Sequence, residues 1–247
     1  MLNSNRVLSR RTAAGVGLAG AVLSAAGDVL MLGRACSGRE FDDATGKIPP
    51  TIDADPRWRS LWNGASFAPV RVHTGTAIGV VGIGVLQWVG LQAAARTIPA
   101  GSLRRLASVS ATGFAMSGML THLGCGAVIL AYRQAAEDTA DLVSDPQPAP
   151  RSVTTLLAVS ALGALGTLAA FSGAVIGAAV RDPETPTVRA VVTPFPCVLA
   201  TLLTFGALPA PVGGYARPAS MSIGLGVSFA VSAVCSRGIT PSIATPG

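Results

Sequence analysis

AAGVGLAGAVLSAAGDVLMLG, residues Ala13 to Gly33, is apolar throughout except for one charged side chain, Asp28. At about 1.5 Å of rise per residue, a helix of this length crosses a hydrocarbon layer roughly 30 Å thick. An ionised carboxylate within such a span costs on the order of 2.5–3.5 kcal/mol on insertion scales, so Asp28 is expected to face protein or trapped water and to have a partner. That partner must come from the other apolar runs or from their mouths.

The composition supplies those runs. Half of the 247 residues are hydrophobic and 12% are charged, with a mean hydropathy of +0.54. This is more apolar material than one water-soluble core needs. Beyond residues 13–33, runs of spanning length cover 72–95, 108–132, 154–180, 188–208 and 218–236. The later connectors are short, as loops between bundled helices usually are. The expected fold is therefore all-α: a single polytopic transmembrane bundle of six helices in the cell membrane, with a long polar loop over 34–71. Ser9-Arg10-Arg11 and Ser24-Ala25-Ala26 could pass for a twin-arginine signal and its cleavage site. The apolar run continues through Leu32, however, beyond the roughly 7–15 residues of a signal-peptide core, so the first span is expected to be retained.

The net charge of +6 does not point to nucleic acid, because the basic residues lie at the ends of apolar runs and not in one cluster with interleaved aromatics. With the N-terminus inside, short inner segments hold nine arginines (Arg6, Arg10, Arg11, Arg96, Arg104, Arg105, Arg181, Arg189 and Arg237). The short outer loops hold three, so both termini are expected in the cytoplasm.

Small residues recur at helical spacing, which lets helix backbones approach where lipid gives no hydrophobic drive for association. Gly75 and Gly79 lie four apart, as do Ser222, Gly226 and Ala230; in the fourth run Ala169, Gly173 and Gly177 do the same. Such faces would also serve a homo-oligomer. The third run carries two adjacent rows, Gly113-Ser117-Thr121-Cys125 and Gly118-His122-Gly126, so His122 stands on a strip otherwise without side chains. In the fifth run Thr193-Pro194-Phe195-Pro196 predicts a kinked or locally unwound helix.

In this orientation Asp28 lies about 9 Å below the outer end of the first span and His122 about 15 Å below that of the third. His73 and Arg71 mark the outer mouth of the second. Trp58 and Trp62, four apart with Arg57 and Arg59 beside them, precede that span, as interfacial anchors or as a lid. These residues define an expected polar pocket opening outward, with Asp28, His122, His73, Arg71, Trp58, Trp62, Arg59 and Thr121 as its candidate ligand-binding set. Asp28 could instead pair with Arg71, or accept from Thr74 or His73, in a purely structural arrangement.

Other chemistries lack their parts. There is no Walker sequence, GxSxG elbow or HExxH, and Lys47 is the single lysine. Cys36, Cys125, Cys197 and Cys235 show no metal-binding spacing. If the second and third spans form an antiparallel hairpin turning near Gly101, facing residues have numbers summing to about 203, which sets His73 opposite Leu130 and His122 opposite Val81. The two imidazoles are then about 12 Å apart along the axis and cannot ligate one haem iron. Neither a cofactor nor a metal is expected.

Gly27-Asp28-Val29-Leu30 at the end of the first span, Trp58-Arg59 before the second and a histidine in the third together resemble an uncharacterised family of bacterial multi-pass membrane proteins, over roughly residues 20 to 125. The resemblance implies an outward-reaching pocket and no particular activity. The function expected is binding or transport of a small or lipid-like ligand. The alternatives are a membrane-embedded enzyme on a lipid or isoprenoid, with Asp28 and His122 as acid and base, and a structural or assembly protein without a ligand.

Overall fold

The computed structural model describes residues 9–32, 69–140, 151–181, 193–207 and 214–235. They form six helices, with no strand among them: α1 (Arg10–Leu32), α2 (Pro69–Arg96), α3 (Ser102–Ala140), α4 (Arg151–Arg181), α5 (Pro194–Ala207) and α6 (Ser220–Cys235). The first four contain apolar stretches long enough to cross a membrane. At 14 and 16 residues, α5 and α6 reach only about 21 and 24 Å.

Sequence explains where α2 ends and α3 begins. Thr97 N–H and Ile98 N–H bond back to Ala94 and Ala95 carbonyls, and the chain then turns at Gly101, whose φ of +151° disfavours any side chain. The turn falls where the hairpin was expected, and the register follows it. Trp88 donates to Thr112, Gly84 abuts Met119, Ile83 abuts Gly118, and Thr76 abuts Gly126. These pairs sum to between 200 and 203, as the hairpin geometry predicted.

The two small rows of α3 have separate uses. Gly113, Ser117 and Thr121 meet Thr167, Gly163 and Ser160 of α4, whereas Gly118, His122 and Gly126 meet Ile83, Gly79 and Thr76 of α2. Around α1, Gly17, Gly20 and Gly27 abut Gly90, Gly82 and Gly75 of the antiparallel α2. Over Gly82–Gln87 the α2 backbone widens into a π-turn, with Gly82 O and Gln87 N both against Gly20. α6 lies along the other side of α1, with the Phe229 ring over Gly17. The apolar centre, built on Leu91, Phe114, Leu168, Phe171, Val198 and Leu225, fills the space where α2 to α6 converge.

The described part of the fifth helix starts at Pro194, after a bend at Thr193, and both prolines fall in its first turn; the kink or local unwinding expected there turns on how residues 188–192 join it. Amides there have no partner inside the helix, so a proline removes nothing. The one remaining early donor, Phe195 N–H, is taken by Ser172 Oγ of α4 at 2.9 Å. Residues 188–192, expected to begin this span, lie outside the described residues.

Candidate functional site

Asp28 stands one turn before the end of α1, at the level where α1 and α2 touch backbone to backbone. A Cβ on Gly27 would lie 2.6 Å from Gly75 O and 2.9 Å from Gly79 N. A Cβ on Gly79 would fall on Cδ2 and Nε2 of His122. The missing side chain of Gly79 is therefore the gap through which the imidazole, carried by α3, passes α2 and reaches the carboxyl on α1. His122 Nε2 ends 3.3 Å from Asp28 Oδ1. From the other side, Ser222 of α6 donates its hydroxyl to Asp28 Oδ2 at 2.7 Å. All three residues are buried, with relative exposures of 7% for Asp28, 5% for His122 and 4% for Ser222.

A carboxyl at this depth needs its charge neutralised or its proton retained. A single dissociable proton shared between Asp28 and His122 makes the pair neutral wherever it sits. The contact is close, yet its geometry makes no hydrogen bond, and His122 Nε2 is left as a buried polar atom without a hydrogen-bond partner among the described residues. Gln87 Oε1 is a second such atom. Gln87, fully buried at the end of the π-turn, donates through Nε2 to Ser24 Oγ at 2.9 Å, and Ser24 donates to Gly20 O at 2.9 Å. Ser24 precedes Asp28 by four residues on α1, so two buried polar clusters stand on consecutive turns of that helix. Orphaned buried polar atoms are rare in native proteins and are natural places for a bound molecule.

The order of contacts excludes one reaction. In a nucleophilic triad the base touches the serine and the acid orients the base. Here the carboxyl sits in the middle and the serine hydroxyl is bonded to it, so Ser222 is not activated by His122.

The other residues picked out in the sequence are placed as follows. Arg71, His73 and Thr74 lie on exposed positions in the first turns of α2, and the carboxyl's partners are instead Ser222 and His122. Thr121 is turned toward α4, donating to Ser117 O at 2.8 Å and meeting Ser160 Oγ at 3.1 Å. Trp58, Arg59 and Trp62 lie outside the described residues. Sequence reasoning missed Ser222 as a site residue, reading it as part of a packing row. The available signal was that it is a hydroxyl within that row. Two cavities bounded by described residues lie around Arg10, at the end of the bundle away from Asp28.

The chain belongs to the DUF6796 family, a family of unknown function, which matches residues 3–237. The match takes in nearly all of the chain, α4 to α6 included, beyond the stretch on which the resemblance in the sequence rested. No curated protein and no solved structure matches it.

Proposed function

We propose that this member of the DUF6796 family is a multi-pass protein of the cell membrane that crosses six times with both termini in the cytoplasm. Asp28, His122 and Ser222 seat the polar group of a small or lipid-like ligand that enters from the external face. The observation that carries the reading is the buried carboxyl–imidazole contact at 3.3 Å with His122 Nε2 left without a hydrogen bond. An intramembrane ionisable pair that retains unused bonding capacity is better suited to receive a proton or a polar ligand group than to hold helices together.

Charge supports the orientation. Arg10, Arg11, Arg96, Arg104, Arg105 and Arg181 gather at one end of the bundle, against Arg71, Arg133, Arg151 and Arg217 at the other. For α5 and α6 to cross, residues beyond the helical segments must continue them or the bilayer must thin around them.

The test is native mass spectrometry of the purified protein, comparing wild type with Asp28→Asn and His122→Ala, with thermal unfolding measured in parallel. The expected result is a bound molecule that both variants lose while still unfolding cooperatively. Variants that unfold early from a wild type carrying nothing would move the pair to a structural role. The same contact puts a carboxyl and an imidazole side by side, so activity on a lipid or isoprenoid with Asp28 and His122 as acid and base is the second reading. Turnover of the bound molecule by wild type and not by Asp28→Asn would select it.

A further inference from the structure

At the end of the bundle away from Asp28, α1 begins with Ala13 and Ala14 while α2 ends with Gly90, Ala93 and Ala94. Side chains this short leave the space between these helices and α4 to α6 unfilled, and the result is a cavity of about 140 Å³. Leu91, Phe171, Val175 and Phe229 give it apolar walls, Thr97, Thr193, Ser228 and Ser232 add hydroxyl-bearing side chains, and Arg10 stands in its lining. The same Arg10 lines a neighbouring cavity of about 320 Å³, together with Trp88, Gln92 and Arg96.

Among the described residues the charge at this end of the bundle has one sign. Arg10 is exposed and forms no ion pair among the described residues. The described acids, Asp28, Glu137 and Asp138, all lie toward the other end of the bundle. A cavity of about 150 Å³ has the volume to take up a six-carbon ring such as benzene. The smaller cavity here therefore has room for about six carbons of a hydrocarbon chain. A guanidinium offers paired donors to a planar carboxylate at the mouth of that space.

We infer that this cavity binds a single-chain amphiphilic acid, with the hydrocarbon between Leu91, Phe171 and Phe229 and the anionic head on Arg10. The site is separate from the Asp28 cluster, since Arg10 and Asp28 are about 27 Å apart along α1. It requires both parts of the ligand. A neutral chain lacks the head for Arg10, and a free anion leaves the apolar space empty.

The test titrates the full chain, in an uncharged detergent, with dodecanoate, dodecanol and inorganic phosphate, reading bound ligand by native mass spectrometry. Dodecanoate is expected to bind one per chain and to outcompete dodecanol. Arg10→Gln, a change at an exposed position, should weaken dodecanoate by about tenfold or more and leave dodecanol unchanged. Ala94→Phe fills the cavity and should abolish dodecanoate binding. If that variant does not fold, Ala93→Phe, which enters the same space from the next position, is read in its place. Equal dodecanoate affinity in wild type and Arg10→Gln would overturn the inference. So would dodecanol binding as tightly as dodecanoate, competition by phosphate alone, or full binding by a folded cavity-filled variant.

Discussion

Gly79→Ala is the substitution whose effect follows most directly from the geometry. The three heavy atoms closest to the absent Cβ all belong to the His122 ring, so an alanine meets that ring first. Overpacking of this kind costs about 1–3 kcal/mol. Alanine returns about 0.8–1 kcal/mol through its better helix propensity. The net expectation is a loss of up to about 2 kcal/mol in the otherwise native chain. In a His122→Ala background the collision is gone, and the same substitution should be neutral or stabilising by up to about 1 kcal/mol. The coupling between the two positions should therefore reach about 2 kcal/mol, well above the roughly 0.3–0.5 kcal/mol scatter of independent sites. The assay is reversible unfolding of the four proteins in mixed detergent. If Gly79→Ala costs the same with and without the imidazole, His122 does not cross α2 at Gly79, and the account of the site fails.

Ser222→Ala leaves Asp28 Oδ2 without its 2.7 Å donor and should cost about 1–3 kcal/mol in the same unfolding assay. Gly224→Ala places a Cβ 2.6 Å from Val198 Cα and 2.8 Å from Cys197 O, backbone that cannot step aside, and should lower stability by about 1–3 kcal/mol by separating α5 from α6. Arg71→Ala and His73→Ala, at exposed positions, should stay within about 0.5 kcal/mol of wild type, where a structural pairing with Asp28 would cost several times more. Ser24→Ala combined with Gln87→Leu removes a buried hydrogen bond together with the orphaned Oε1. That double variant should be close to neutral or more stable, and a loss above about 1 kcal/mol would show that the Gln87 carbonyl has an occupant.

The sequence by itself determined the helical character of the chain and the register of α2 on α3. A short loop turning at Gly101 leaves an antiparallel pair almost no freedom to slide, so Gly79 had to lie near His122 and Thr76 near Gly126. The rows of α3 and α6 and the Gly75–Gly79 pair were equally legible, since spacing alone puts such residues on one face, whereas in the Ala169-Gly173-Gly177 row of α4 Gly173 is exposed with nothing within 4 Å of an added Cβ. Only the tertiary structure decided which rows meet a helix and which helix each meets, and that Gly79 is a passage for a side chain as well as a packing surface. It also decided that Ser222, 194 residues from Asp28, supplies the carboxyl's hydrogen bond. The physical reason is that connection length constrains neighbours in sequence, whereas the placing of α6 against α1 depends on how the whole bundle closes. A serine bonding a buried carboxyl and a serine that merely makes room look the same in sequence.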